Sequence, residues 1–322
     1  MDALTGLLNG PRAQGAFILR MVMQAPWSVR IEDRAPLCLM LVRRGEAWIE
    51  PEDGPPVRLT PGDAAIARGP APYTVCDRPG TPPRVTVDAD GQCTGPAGEP
   101  LGSVMQLGVR TWGDRADGDT ALLVGTYRME GEIGGRLLQA LPPLLTVPAG
   151  LGDCPFGPLL DAEIAKERPG QEIVLDRLLD LMLIDVLRTW FSRPEGEPPG
   201  WYRALADPVI GGALRLLQDE PARPWTVASL AAAVGLSRAA FARRFTELVG
   251  EPPMAYLTGW RLSLAADLLR DTDDTVEAVA RKVGYSGSFA LSSAFKRVRG
   301  ISPSHHRDAD RHRDPGRRRE RV

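Results

Sequence analysis

Thr226-VASLAAAVGLSRAAFARRFTELVG-Glu251 and Thr275-VEAVARKVGYSGSFALSSAFKRVRG-Ile301 are two versions of one pattern. Each has a short Ala/Val-rich segment, then Val-Gly-hydrophobic-Ser, then a second segment with Phe near its end and Gly after it. The turn residues are Val234-Gly235-Leu236-Ser237 in the first block and Val283-Gly284-Tyr285-Ser286 in the second. A helix, a glycine-containing turn and a second helix opened by Ser make a helix-turn-helix. Gly235 and Gly284 suit the left-handed conformation that ends a helix sharply, and Ser237 suits the cap of the helix that follows.

The repeat also assigns faces. Phe241, Phe245 and Leu248 recur at helical spacing and predict a buried stripe in the first block. Leu291, Phe295 and Val298 predict the same in the second. Ser237, Arg238, Ala239, Ala242, Arg243 and Arg244 then lie on or beside the outward face of the first block. Ser288, Phe289, Ser292, Ser293, Lys296 and Arg297 do so in the second. A face of small residues and Arg suits a DNA major groove: small side chains allow close approach, and Arg can make forked bonds to guanine or phosphate. Arg243 is the best placed to enter the groove, and Arg244, nearer the flank, meets phosphate or a carboxylate. Hydroxyls discriminate base edges poorly, so Ser288, Ser292 and Ser293 make the second block the weaker reader. There Phe289 has two readings, a touch on a thymine methyl or packing in the core. Lys296 and Arg297 are expected to hold phosphate. Between the blocks, Pro252-Pro253 halts one helix and Met254 to Arg270 keeps helical spacing. That helix spans roughly 25 Å and could hold two readers near the ~34 Å repeat of successive major grooves.

The phrases Trp225-Thr226-Val227, Gly235-Leu236-Ser237, Gly250-Glu251-Pro252-Pro253, Val283-Gly284-Tyr285, Phe295-Lys296-Arg297 and Gly300-Ile301-Ser302-Pro303, with Arg307, resemble the DNA-binding domain of the AraC/XylS family of bacterial transcription regulators. Leu291, Ser293 and His306 depart from that pattern, standing where an aromatic, an Arg and a Tyr are usual. The resemblance implies a sequence-specific DNA-binding transcription regulator whose partners are double-stranded DNA and, for an activator, RNA polymerase.

The whole chain fits this reading. Its 322 residues suggest two domains, and 43% hydrophobic with 25% charged residues is an ordinary globular composition. Residues 204–322 carry 19 Lys+Arg and 14 Asp+Glu, a balance of +5, whereas residues 1–203 carry 20 and 27, a balance of −7. A basic C-terminal part behind an acidic N-terminal part fits nucleic-acid binding confined to one end. No apolar run is long enough to span a membrane, and no secretory signal precedes the first strands, so a cytoplasmic location is expected.

The N-terminal part reads as short strands separated by turns, at Phe17–Met23, Trp27–Ile31, Leu37–Val42, Ala47–Glu50, Val57–Leu59, Ala64–Ala67, Arg84–Val87 and Ala121–Met129. Leu4, Leu7 and Leu8 suggest a short helix before them, and residues 88–103 a long loop. Many short strands with frequent turn signals argue a β-sandwich or barrel. Three helices follow: one through Ile133, Leu137 and Leu141, one from Pro158 to Arg168, and one from Glu172 to Phe191. The last is apolar almost all round and is therefore either a central core helix or a subunit interface. The resemblance implies the fold class: an α+β multi-domain chain with an N-terminal cupin-like β-barrel and a C-terminal all-α double helix-turn-helix. Its parts are a sensor barrel at 1–132, a helical dimerisation segment at 133–192, a linker at 193–203, the DNA-binding domain at 204–309 and a basic, disordered tail at 310–322. A homodimer and a small-molecule effector in the barrel are implied with it.

Cupin enzymes hold a metal with His and carboxylate ligands. All three His here, His305, His306 and His312, lie beyond the barrel, and Met40 and Tyr73 stand where a barrel places such His. No metal, cofactor or catalytic residue is expected. A metal-dependent cupin enzyme fused to a DNA-binding domain is the alternative. Some relatives with this kind of sensor detect oxidants through cysteine, which makes Cys76 and Cys93 candidate redox residues. Cys38 reads as a buried small hydrophobe, and Cys154 stands at a helix entry.

Overall fold

Short strands separated by turns fill the chain's N-terminal part, and helices fill the remainder. The computed structural model describes residues 17–108, 110–127, 131–151, 155–166, 168–193 and 199–313. The leucines of the first ten residues, Cys154 and the Arg-rich end from residue 314 lie outside the described residues. The described chain falls into two compact units, one of residues 17–127 with 138–193 and one of residues 131–137 with 199–313.

The first unit contains β1 (Phe17–Met23), β2 (Ser28–Ile31), β3 (Leu37–Arg44), β4 (Ala47–Pro51), β5 (Val57–Leu59), β6 (Ala64–Arg68), β7 (Tyr73–Cys76), β8 (Val85–Val87), β9 (Cys93–Thr94), β10 (Gln106–Gly108), β11 (Thr111–Gly113), β12 (Thr120–Tyr127) and, after α1 (Glu132–Gln139), β13 (Leu144–Val147). They form a seven-stranded sheet in the order β10-β11-β1-β12-β3-β6-β13 and a six-stranded sheet in the order β5-β4-β7-β2-β8-β9. The β1–β11 and β2–β8 pairs are parallel and the rest antiparallel. Alternation sends Cys38, Met40 and Val42 of β3 into a core shared with Val29, Ile49 and Val75 of the other sheet.

Leu37, Leu39 and Leu41, on the other face of β3, are equally buried. Helices cover that face. These are α2 (Phe156–Ile164) and α3 (Gln171–Phe191). A Cβ on Gly125 of β12 would lie 2.8 Å from Leu179 Cδ2, so glycine lets α3 approach the sheet. The Tyr127 hydroxyl donates to the Leu179 carbonyl at 2.8 Å across the same contact. Leu175, Leu179, Met182, Val186 and Leu187 are buried, whereas Ile173 is 66% exposed, Val174 43% and Leu181 45%. Helix α3 is therefore a core helix on one side and an exposed apolar face on the other.

Three readings of this part are corrected. The strands Tyr73–Cys76, Gln106–Gly108 and Thr111–Gly113 are absent from the expected set. Residues 88–103 contain the two-residue strand Cys93–Thr94. The segment 133–192 is not all helical: Pro142-Pro143 ends the first helix, and Leu144–Val147 then pairs residue by residue with Ala64–Ala67 of β6.

In the second unit, α4 (Gly200–Ala206) starts inside the stretch read as linker, and α5 (Ile210–Asp219) follows. The first motif is α6 (Val227–Ala233) and α7 (Arg238–Val249), α8 (Pro253–Asp271) is the connecting helix, and the second motif is α9 (Val276–Val283) and α10 (Ser288–Arg299). The last helix, α11 (Pro303–Arg313), takes in the first residues of the stretch read as a disordered tail. Tyr256, Leu257 and Trp260, in the first half of α8, join Phe241 and Phe245 in one core. Leu262, Ala265 and Leu269, in its second half, join Leu291 and Phe295 in another. One helix thus carries two small cores end to end, and its 19 residues make it about 28 Å long. Among the described residues no helix is long and apolar enough to cross a membrane.

Candidate nucleic-acid interface

Both turns are built as their glycines demand. Gly235 has φ +72° and Gly284 φ +89°. At Gly284 the conformation is doubly required, because a Cβ there would meet the Pro221 carbonyl oxygen and Ala222 Cα at 2.8 Å. Ser237 caps α7 by accepting from the Ala240 N–H at 3.3 Å. Both turns have four residues, but three residues rather than two separate the glycine from the outward helix in the second. Its cap residue is Gly287, which offers no side chain. Glu277, from the preceding helix, instead accepts from the Ser288 N–H at 2.7 Å. That bond, a second from the Ser288 side chain and the Arg281 partner hold the Glu277 carboxyl below the usual carboxylate range.

Both outward helices have 12 residues, starting at Arg238 and Ser288. Counting from those starts aligns Ala239 with Phe289, Ala242 with Ser292, Arg243 with Ser293, and Thr246 with Lys296. The buried stripe of α7 is Phe241 and Phe245, closed by Val249, with Leu248 half-buried. In α10 it is Leu291, Ala294 and Phe295. Val298 departs from the expected stripe at 59% exposure. His306 edges onto the Phe295 ring at 5.5 Å between centroids, and the Arg299 guanidinium lies 5.1 Å from that ring. These groups lie against Phe295 while Val298 stays in water.

The remaining candidate residues fall as the spacing predicts. Arg238, Ala239, Arg243, Ser293, Lys296 and Arg297 are exposed, and Ala242, Ser288 and Ser292 are half-buried. Phe289 is 85% exposed, so it does not pack into the core. Arg243 has only a loose pair with Glu247 at 3.8 Å, both side chains largely in water, which is worth little and leaves the guanidinium available. Arg244 is different. Its Nη2 lies 2.6 Å from Asp207 Oδ2, and Asp207 also accepts from the Val209 and Ile210 N–H groups at the start of α5. Burial opposes ionisation of Asp207, but the bonds from Ile210, Arg244 and Val209 outweigh it and hold its carboxyl below the ordinary range. Arg244 thus meets a carboxylate that ties α7 to α5, a partner 37 positions away in sequence that local spacing could not identify.

The two-sheet unit holds the other candidates. A cavity of about 920 Å³ lies between the sheets, with Met21, Cys38, Met40, Tyr73 and Trp112 among its walls. Cys93 also lines it, whereas Cys76 is fully buried and its thiol lies 3.4 Å from Glu50 Oε2. Strands β2 and β8 separate β7, which carries Cys76, from β9, which carries Cys93, so the fold does not bring the two thiols together. Burial, then the nearby Glu50 charge, pushes the Cys76 thiol up to about 12. Burial and then the Asp88 charge raise that of Cys93. Among the described residues no three His, Cys, Asp or Glu side chains group as metal ligands.

Residues 2–192 match a family model described as Cupin, and residues 230–309 match one described as Helix-turn-helix domain. Two similar chains carry the name AraC-like transcription regulator. That of Streptomyces antibioticus is 33% identical, covering 95% of this chain and 98% of its own. That of Streptomyces lividans is 33% identical, again covering 95% and 98%. Among solved structures, the DNA-binding domain of AdpA in complex with a target DNA is 34% identical over 34% of this chain and 97% of its own, with a TM-score of 0.32.

Proposed function

This chain belongs to the AraC-like transcription regulators with an N-terminal cupin domain, and from that membership we propose how it binds DNA and what controls it. It is a DNA-binding transcription regulator. The two outward helices α7 and α10 enter successive major grooves of one DNA face, held apart by α8. The observation that carries this reading is the matched exposure of Arg243 and Ser293, with Phe289, Lys296 and Arg297, on two helices seated on one rigid spine. Arg243 reads guanine by a forked bond, and Ala239 and Ala242 let its helix approach. Phe289 lies against a thymine methyl. Lys296 and Arg297 hold phosphate and set register. Arg244 supports the first reader through Asp207.

The test is an electrophoretic shift of the full chain on promoter DNA across a salt series. Released counterions make affinity fall steeply as salt rises. A chain with no DNA affinity at low salt contradicts the proposal.

The N-terminal barrel serves as the effector sensor rather than as an enzyme, and RNA polymerase is the partner if the chain activates. The chain acts as a homodimer through the exposed face of α3. Leu179 and Met182 are core residues, so the diagnostic substitution is Leu181→Glu. It gives monomers in sedimentation with the fold intact. A wild-type chain that sediments as a monomer at micromolar concentration removes the dimer.

A further inference from the structure

The barrel cavity defines a ligand class through its walls. Its volume of about 920 Å³ is at the roomy end of the ~300–1,000 Å³ usual for small-molecule sites. Most of the strand residues that line it, including Met21, Val29, Met40, Val75, Leu122 and Val124, are apolar. Among the described residues its charged lining residues are four: Asp33, Arg34, Asp90 and Arg110. All four lie on connections between strands, and their charges balance. Arg110 already has a partner, Glu172 Oε1 at 3.2 Å. Arg34 and Arg110 are also the two non-glycine residues with positive φ among the described residues, at +55° and +47°. That conformation is uncommon for a side chain of this size, and both instances frame this one cavity.

The polar groups inside are few and neutral. The Tyr73 hydroxyl and the Cys38 thiol both belong to the lining, and each influences the other's ionisation. Burial raises both, Cys38 to about 12 and Tyr73 well above its ordinary value, so neither carries charge at neutral pH. Thr111 and Thr126 add hydroxyls to the wall and Gln106 an amide, all uncharged. An ionised ligand seated among the strand residues would lose its water and find no opposite charge among them, because both guanidinium groups of the lining stand on the connections, and a polyhydroxylated one would leave most hydroxyls unpaired.

We propose that the cavity binds a neutral small molecule with an apolar body and one or two hydrogen-bonding groups, and that carboxylates and sugars are excluded. This rests on the reading of the barrel as the sensor.

The test uses the full chain and N-phenyl-1-naphthylamine, a neutral fluorophore that brightens in dry cavities. Three competitors follow: 1-decanol, decanoate and xylose. The expected result is probe binding that decanol displaces, decanoate displaces roughly 100-fold less well, and xylose leaves untouched. Val124→Trp, which fills the cavity, should abolish the signal, and Val124→Ala should retain it, with thermal melts reporting the fold of each. Displacement by decanoate or xylose in preference to decanol overturns the ligand class and leaves the sensor reading standing. Failure of all four compounds to bind the wild-type chain overturns both. A probe signal that survives in a folded Val124→Trp chain places the binding elsewhere and also overturns the proposal. Should Val124→Trp not fold, the order of the three competitors on the wild-type chain still decides the class.

Discussion

In the first motif the outward helix begins at Arg238, is capped by its own neighbour Ser237, and carries Arg243 in its middle. In the second it begins at Ser288, is capped by Glu277 from the preceding helix, and carries Ser293 at the same position. The scaffolds are alike: both have a left-handed glycine in the turn, a glycine at the end and a phenylalanine at the centre of the core. The difference lies on the face and at the cap. Under the proposed reading, duplicated architecture does not mean duplicated recognition. Buried positions are held by packing on α8, and exposed ones are free to diverge.

The shared scaffold can be broken first, with the largest effects. Phe245 and Phe295 are both fully buried. Phe245→Ala and Phe295→Ala should each cost about 3–5 kcal/mol by cavity formation, read from urea melts. A loss below about 1 kcal/mol at either site would mean that this motif lacks a packed core of its own.

The faces differ next. Arg243→Ala should lose about 1–3 kcal/mol of discrimination at one base position, while Ser293→Ala should change the preferred site little. Phe289→Ala should weaken preference for thymine only at the second half of the site, as measured on single-base variants of the DNA.

The caps give a smaller contrast. Ser237→Ala should cost about 0.5–2 kcal/mol and, because a hydroxyl does not titrate here, at any acidic pH alike. The Glu277 carboxyl is lowered in the folded chain. Its contribution is present above the ordinary carboxylate range and is lost as pH falls through the lowered value. Glu277→Gln should therefore flatten part of the acid limb of the melting-temperature profile, and Ser237→Ala should leave that limb unchanged.

The smallest expected effect is Lys296→Ala. It should weaken binding almost evenly for all sequences and reduce the salt slope by about one. A sequence-dependent loss would make Lys296 a reader.

Much of this was legible in the chain. Helical spacing locates Phe241, Phe245, Leu291 and Phe295, and the glycines locate both turns, because these features depend on neighbours in sequence. Local pattern fails where the decisive partner is distant. The four residues of Tyr73–Cys76 are too short for alternation to stand out, yet β2 and β4 flank and stabilise them. Leu144–Val147 follows a helix in a stretch whose periodicity is helical on both sides, and it becomes a strand because β6 offers an unpaired edge. The Arg244–Asp207 pair, the covering of Phe295 by His306 and the Glu277 cap all come from other elements. The exposure of the outward residues of α7 and α10 was legible, since exposure on a helix follows from where the core lies.

The central claim is that two like scaffolds carry unlike readers. It is tested most directly by selecting preferred sites from random DNA with the full wild-type chain, with Arg243→Ala and with Ser293→Ala. The account predicts a two-part motif for the wild type, loss of a guanine-centred position with Arg243→Ala, and an unchanged motif with Ser293→Ala. A full wild-type motif with Arg243→Ala, together with a lost position with Ser293→Ala, would contradict it.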